Sequence, residues 1–345
     1  MQAVVGRSPE APRPGRRSGS RGLRSWLPLL LNWLPLALVT CLFLWAYYAY
    51  VVVFCVSVVR DNALKAIAFG IGFHLLFFLC LWSYVQTTVA VVAPIPPLFR
   101  LTVGEQQALE NCHNERTRRS VLDVMAIERG VLTLGADGCV RYCEYCCLIK
   151  PDRSHHCSAC RRCIPKMDHH CPWFNNCVCF STYKFFLLTI FYVVALSLFG
   201  VFTAGKYVIE MWVIARMTPS TFHVTFLTVL GTALALGLGA FLWHHVSMVF
   251  SNETTLEDMR SPIFRDTNDS FNVGCWQNFV QVFGPRKSLW MFPVFTSVGD
   301  GVRFPTKLHP VLGAQEEYEQ RSVEATYSTG SSVGNPSSAT VTVML

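Results

Sequence analysis

The chain has 345 residues, of which 52% are apolar and only 15% charged, and its formal net charge is +7. Soluble domains are commonly about 25% charged, so this composition argues against an ordinary globular fold and indicates a membrane protein. Four uncharged apolar runs agree with this, because about 20 such residues in a helix cross a hydrocarbon core of about 30 Å.

The first pair of apolar runs follows a basic segment. Residues 1–32 contain six arginines among Ser, Gly and Pro residues, and we expect them to be disordered. The runs at 33–59 and 66–92 are separated by a short polar link. They predict a transmembrane helical hairpin over residues 33–92.

A polar loop, residues 93–184, separates this hairpin from a second one. The apolar runs at 185–207 and 224–250 predict the second hairpin over residues 185–250. The loop carries a dozen Lys or Arg residues, whereas the links within the two hairpins carry few. Cytosolic loops are enriched in these residues, so we place the loop and both termini in the cytosol.

The middle of this loop is rich in cysteine. Of the fifteen cysteines in the chain, ten lie between Cys139 and Cys179. Cytosolic thiols are kept reduced, so metal binding or catalysis is favoured over disulfides. We expect this cysteine-rich domain to span about residues 140–180.

Two C-x2-C pairs in the domain have the spacing of zinc knuckles. Each pair lets two thiolates converge on one tetrahedral ion, which needs four ligands, so two pairs predict two sites and eight ligands. Spacing alone does not identify which residue is spare. The candidates are Cys143, Cys146, His155, His156, Cys157, Cys160, Cys163, His169, His170, Cys171 and Cys177.

Several segments resemble the DHHC-type protein S-acyltransferases, which are zinc-dependent palmitoyltransferases. They are "CEYC", "PDRSHHCSACRRCIPKMDHHCPWFNNC", "NETTLE" and "NFVQVFG". The sequences "LIKPDR", "KMDHHCPW" and "YKFFLL" are nearest to an animal subfamily. The resemblance implies an all-α polytopic membrane protein with four transmembrane helices and a cytosolic, cysteine-rich two-zinc domain between helices 2 and 3.

The resemblance also implies roles for individual residues. Cys171 takes the position of the nucleophile, with His169 as its base and Asp168 orienting that base. One structural zinc ion is expected at Cys143, Cys146, His156 and Cys163, and a second at Cys157, Cys160, His170 and Cys177. The implied reaction moves a long-chain acyl group, such as palmitoyl, from acyl-CoA to protein cysteines through an acyl-Cys171 intermediate.

Acyl-CoA, the co-substrate, carries phosphates that basic residues could bind. Basic side chains near the nucleophile are Lys150, Arg153, Arg161, Arg162 and Lys166. Lys150 and Arg153 are the preferred CoA contacts, although juxtamembrane basic residues often meet lipid head groups instead. Trp173 is expected at the membrane interface beside the nucleophile.

The region after the last span is interpreted as scaffold. Residues 251–305 contain a TTxE element and an aromatic motif, and residues 306–345 are expected to be disordered. His244 and His245, near the end of the fourth span, are expected to reach interfacial water or a neighbouring backbone group. Cys179 stands where the family usually has glycine, and its side chain could crowd the turn or be acylated in cis.

The expected partners are the membrane and proteins, either cytosolic or membrane-anchored, that have juxtamembrane cysteines. No nucleic-acid partner is expected, because the positive charge is largely juxtamembrane. The expected location is the endomembrane system, at the Golgi or ER, with the plasma membrane as an alternative. Three rival hypotheses remain: a zinc-containing binding module on a membrane anchor, a four-span channel or carrier, and an inactive scaffold.

Overall fold

The computed structural model describes residues 27–59, 62–214 and 218–310. The first hairpin consists of helix α1 (Leu27–Tyr47), which continues as a π-helix (Tyr48–Val58), and helix α2 (Ala63–Val89). The π-helical segment packs on α2, where the ring of Tyr50 stacks on that of Phe73 at 4.3 Å. The sequence predicts disorder over residues 1–32 and 306–345. Of these two segments, residues 1–26 and 311–345 lie outside the described residues.

The loop after α2 contains two short helices, α3 (Val103–Glu110) and α4 (Glu115–Glu128). Seven strands of two or three residues follow. They are β1 (Thr133–Leu134), β2 (Tyr142–Cys143), β3 (Leu148–Ile149), β4 (His155–Cys157), β5 (Arg162–Ile164), β6 (His169–Cys171) and β7 (Asn176–Val178). Six of them form three antiparallel hairpins, β2–β3, β4–β5 and β6–β7.

These hairpins are an addition to the all-α expectation. Strands this short show no alternating pattern long enough to recognise in a sequence. Their registers matter for the site, because His156 pairs with Cys163 and His170 pairs with Cys177. Each pair of opposed residues brings two predicted metal ligands to one place.

The second hairpin consists of helices α5 (Tyr183–Val213) and α6 (Pro219–Ser251), and α5 packs against both α2 and α6. Thr218 begins α6 with a capping box. Asn252 ends it in the left-handed conformation, with φ of 55°. All four long helices are apolar enough and long enough to cross a membrane, which confirms the four predicted spans.

The segment after α6 folds back onto the loop. It contains α7 (Thr255–Met259), strand β8 (Ile263–Phe264), which pairs with β1, and α8 (Cys275–Phe283). Phe279, Val282 and Phe283 of α8 join an apolar cluster that also contains Cys171 and Phe186. The fold therefore encloses Cys171 between the loop, the helix ends and the C-terminal segment.

Candidate active site and metal centres

The first cluster of metal-binding side chains joins hairpins β2–β3 and β4–β5. Cys143, Cys146, His156 and Cys163 each offer one ligand atom, and these atoms lie within 4.8 Å of one another. Nδ1 of His156 is 3.4 Å from Sγ of Cys143 and of Cys146, and 3.9 Å from Sγ of Cys163. This is the first of the two predicted sets.

The second cluster joins hairpins β4–β5 and β6–β7. Nδ1 of His170 is 3.6 Å from Sγ of Cys157 and of Cys177, and 3.5 Å from Sγ of Cys160. The Sγ atoms of Cys160 and Cys177 are 3.4 Å apart, well beyond a disulfide bond. The structure thus brings the second predicted set together as well.

Both donor sets fit a tetrahedral metal ion. Zinc bonds of about 2.3 Å to sulfur and about 2.0 Å to nitrogen would separate the ligand atoms by roughly 3.5–3.8 Å, close to the distances above. Burial, followed by the hydrogen bond and charge of Cys143, raises the pKa of the Cys163 thiol. Several thiolates so close together need a cation to balance their charge, so each set could hold a metal ion.

Cys171 lies outside both clusters, at the end of β6. Its side chain is buried beside Tyr84, Phe174 and Phe186. The hairpin turn that follows is narrow, since Asn175 adopts a φ of 48° and Cys171 pairs with Asn176. Cys171 is therefore held at the boundary between the metal-binding loop and the membrane helices.

His169 and Asp168 form a hydrogen-bonded pair two residues before Cys171. His169 donates from Nδ1 to Oδ2 of Asp168 at 2.6 Å. Asp168 is buried and also accepts hydrogen bonds from N–H of Thr255 at 2.8 Å and from its hydroxyl at 2.7 Å. Thr255 belongs to the TTxE element, so the C-terminal segment fixes the carboxylate that orients the histidine. From the sequence alone, Thr255 was interpreted only as scaffold.

This pair has perturbed pKa values. Burial opposes ionisation of Asp168, but the hydrogen bonds from His169 and Thr255 outweigh it and lower the pKa of the carboxyl. Burial also opposes protonation of His169, but Asp168 and then Cys171 outweigh it and raise the pKa of His169 to about 9. An imidazolium is therefore favoured at His169 at neutral pH, two residues before Cys171.

Arg153, a predicted CoA contact, is bonded to other residues of the chain. Its side chain is fully buried and donates to both carboxylate oxygens of Glu257, at 2.9 and 2.6 Å. It also donates to the side chain and the backbone carbonyl of Asn252, at 2.9 and 2.7 Å. These bonds occupy nearly all of its N–H groups, so Arg153 joins the loop to the end of α6 and has little capacity left for a phosphate. Lys166, likewise, donates to Asn252 at 3.2 Å.

Lys150, the other predicted CoA contact, lies near Arg141. A cavity of about 340 Å³ is lined by apolar residues together with polar side chains that include Thr133, Arg141, Arg153, His155, Glu257 and Arg260. Arg141 donates to Thr133 at 3.0 Å, whereas its Nε has no partner among the described residues. Burial, then Arg141 and Lys150, lower the pKa of His155 to about 4. Sequence reasoning missed Arg141 and left His155 as a possible metal ligand.

Trp173 and Cys179 were also singled out in the sequence. Trp173 is half-exposed, and its carbonyl accepts a hydrogen bond from the Tyr84 hydroxyl at 3.0 Å. Cys179 is buried near Cys177 and accepts a hydrogen bond from Thr182 at 3.7 Å, so its side chain fits the turn without the expected crowding. Cys147 is exposed and is a member of neither metal-binding cluster.

The position of His245 differs from the one expected from the sequence. It was expected to reach water or a backbone group, but its side chain is buried and Nδ1 lies 3.1 Å from the hydroxyl of Tyr183. His244 is half-exposed instead, with Nε2 3.7 Å from a carboxylate oxygen of Asp258. The two adjacent histidines thus occupy different environments, and only His245 faces the candidate active site.

Comparison with known proteins finds similarity over most of the chain. Residues 139–262 match the family model described as DHHC palmitoyltransferase. Palmitoyltransferase ZDHHC20 of Bos taurus is 41% identical over 310 residues, covering 88% of this chain and 84% of the relative. Palmitoyltransferase ZDHHC2 of Danio rerio is 39% identical over 296 residues, covering 84% of this chain and 81% of the relative.

Proposed function

Because the chain belongs to the DHHC palmitoyltransferase family and is a protein S-palmitoyltransferase, we propose that Cys171 carries the acyl group between acyl-CoA and a protein cysteine. The observation that carries this proposal is the position of Cys171. It lies outside both metal-binding clusters and within two residues of the His169–Asp168 pair. A thiolate bound to a metal is a poorer nucleophile, so the spare cysteine beside a base is the suitable one.

The proposed reaction has two steps. In the first, Sγ of Cys171 attacks the carbonyl carbon of acyl-CoA, the bond from that carbon to the CoA sulfur breaks, and His169 gives its proton to the departing sulfur. In the second, His169 takes the proton of a substrate cysteine, whose sulfur attacks the acyl-enzyme and releases Cys171. Asp168 holds Nδ1 of His169, which directs Nε2 toward the chemistry, as in a Ser-His-Asp triad.

The two metal-binding clusters are proposed to hold one zinc ion each, as Cys3His sites. The ions would supply folding energy to a loop that has little apolar core of its own. Since β6 carries both His170 and Cys171, fixing the histidine in a metal site also fixes where the sulfur points.

Binding of the CoA phosphates is assigned to Lys150 together with the cavity at Arg141 and His155. The guanidinium of Arg141 and the neutral ring of His155 both line this cavity and would donate to phosphate oxygens there. Arg153 is left out of this assignment because of its bonds to Glu257 and Asn252. Trp173 would lie at the membrane interface, and the acyl chain would extend among the four spans.

Substrates are proposed to be cytosolic or membrane-anchored proteins whose cysteines lie close to the membrane. Support comes from the position of Cys171 near the ends of the long helices, where it packs with Tyr84 of α2 and Tyr183 of α5. The loop is proposed to face the cytosol on the charge bias, and the compartment to be the Golgi or ER, on the family resemblance.

Acyl-enzyme formation tests the nucleophile directly. Purified protein is incubated with radiolabelled palmitoyl-CoA, and the label on the chain is measured with and without hydroxylamine, which cleaves thioesters. We expect a hydroxylamine-sensitive label that is lost in Cys171→Ser and retained in Cys147→Ser, whose thiol is exposed. A label that survives in Cys171→Ser would assign the nucleophile elsewhere, and a folded parent protein that takes no label would favour an inactive scaffold.

A further inference from the structure

A histidine of helix α6 has one ring nitrogen that the fold leaves open. His245 is 1% exposed, and its ring lies 4.5 Å from that of Phe241 and 5.1 Å from that of Phe186, centroid to centroid. Nδ1 is bonded to the Tyr183 hydroxyl at 3.1 Å, whereas Nε2 has no hydrogen-bond partner among residues 27–59, 62–214 and 218–310. Nε2 is therefore the ring nitrogen of His245 that is available to a bound substrate.

The Tyr183 hydroxyl determines which nitrogen of His245 carries the proton. If Tyr183 donates to Nδ1, only the Nε2–H group of the pair lacks a partner. If Nδ1–H donates to Tyr183 instead, two groups lack a hydrogen-bond partner: the hydroxyl hydrogen of Tyr183 and the Nε2 lone pair. The hydroxyl hydrogen lacks a partner because Tyr183 makes no other side-chain hydrogen bond in the described part of the chain. The first arrangement costs less. His245 is then a neutral imidazole that presents an N–H donor.

This donor stands beside the proposed nucleophile and its base. The rings of His245 and His169 are 6.4 Å apart, and both contact the ring of Phe186, at 5.1 and 5.3 Å. Phe186 belongs to the same packed cluster as Cys171. A thioester attacked by Cys171 would have its carbonyl oxygen within a few ångströms of that sulfur, and therefore near the cluster that contains Phe186.

Attack on a thioester turns the carbonyl oxygen into an oxyanion. A preorganised donor in a water-poor site stabilises that charge more than water does, and such donors are worth about 10²- to 10³-fold in rate. His169 cannot fill this role, because its proton moves to and from sulfur. A neutral histidine that polarises a carbonyl is an established chemical solution to the same problem.

We propose that His245, held in its Nε2–H form by Tyr183, donates a hydrogen bond to the acyl carbonyl oxygen during attack by Cys171. The inference rests on the proposed nucleophile, since it concerns the same acyl group. His245 neither gains nor loses a proton. The oxygen becomes negative as the Cys171 sulfur bonds to the carbonyl carbon, and it returns to a carbonyl when the CoA sulfur leaves.

The rate of acyl-enzyme formation tests this role. Rapid-quench measurements over a range of palmitoyl-CoA concentrations separate the maximal rate from the half-saturating concentration. We expect His245→Leu to lower the maximal rate about 10²- to 10³-fold with little change in half-saturation, and His245→Gln, which keeps an N–H donor, to recover part of the loss. Tyr183→Phe should show a smaller loss. His244→Leu, one residue away and half-exposed, is the matched control and should stay near the parent rate.

The carbonyl stretching frequency of the acyl-enzyme gives a readout that simple packing would not move. With a ¹³C-labelled acyl carbonyl, infrared difference spectra should show a higher frequency in His245→Leu than in the parent, because a hydrogen bond has been lost, and no shift in His244→Leu. Equal rates for the two leucine variants, or a slow His245→Leu enzyme whose carbonyl is unshifted, would overturn the proposal. An unacylated parent enzyme would instead contradict the role of Cys171.

Discussion

Arg153 is predicted to determine stability rather than CoA binding. Its side chain and that of Glu257 are 0% and 7% exposed, and the two form a bidentate ion pair. The guanidinium also lies 4.6 Å from the ring centroid of Phe271. Arg153→Met would leave the Glu257 carboxylate buried without its partner, which costs about 3–5 kcal/mol. At about 2–4 °C per kcal/mol, thermal unfolding in detergent, followed by tryptophan fluorescence, should shift down by roughly 6–20 °C.

Two further variants make this prediction specific. Arg153→Met combined with Glu257→Met removes both charges and should recover part of the lost stability. Lys150→Met should show the opposite behaviour, with an unchanged unfolding temperature and a raised KM for palmitoyl-CoA. Arg162→Met, at an exposed position of β5, is the control for loss of an arginine from the loop. If Arg153→Met unfolded like the parent and had a raised KM, the assignment of Arg153 to the scaffold would be wrong.

Three other predictions concern the metals, the carboxylate that orients the base, and the topology. Metal analysis should give two zinc ions per chain, fewer in Cys157→Ala and still two in Cys171→Ser; one ion or none in the parent would contradict the two Cys3His sites. Thr255→Val removes one of the hydrogen bonds to Asp168 and should slow acyl-enzyme formation about tenfold, the cost of roughly 1.4 kcal/mol from one charged hydrogen bond, with an unchanged KM. A cysteine introduced into the link before α2 should be labelled only when microsomes are permeabilised, and labelling of intact microsomes would invert the topology.

The features that the sequence predicted are local ones. Four long apolar runs mark the spans, and the C-x2-C pairs predict two metal sites, because β-hairpins of a few residues bring such neighbours together. The membership of each ligand set was implied by the family resemblance and not by the spacing. The roles of Arg153 and His245 could not be found in the same way. Arg153 meets Glu257 104 positions later, and His245 meets Tyr183 62 positions earlier. Composition near either residue contains no signal of such a partner.

The environments of Lys166 and Cys179 also could not be predicted from the local sequence. Lys166 looked like an exposed phosphate contact, since basic residues surround it in the sequence. In the fold it turns toward Asn252 and the ring of Phe304, with Nζ 5.4 Å from the ring centroid. For Cys179 the sequence left two possibilities, crowding of the turn or acylation in cis; in the fold Thr182 and neighbouring apolar side chains accommodate it. Both outcomes depend on where the C-terminal segment and α5 pack, which no short motif specifies.

The pH dependence of acylation distinguishes a base from a metal ligand at His169. In the parent enzyme the pKa of His169 is raised to about 9 by Asp168 and Cys171 against the effect of burial. The stabilisation that this proton gives to the folded pair is complete below the ordinary histidine pKa of about 6.5 and is lost as pH rises through about 9. The His169 imidazolium therefore persists across neutral pH, and the parent's acylation rate should vary little between about pH 7 and pH 8.

His169→Ala removes that imidazolium and should make the acylation rate depend strongly on pH. The Cys171 thiol then has to ionise unaided, so acyl-enzyme formation near pH 7 should fall by about 10²- to 10⁴-fold, the usual contribution of a general base. The rate should rise as pH approaches about 8.5, the pKa of a free thiol, and level off above it. Rapid-quench rates over this pH range, with zinc content measured on the same samples, test both points. If His169→Ala lost zinc, or acylated like the parent at neutral pH, His169 would have to exchange roles with His170 or leave the mechanism.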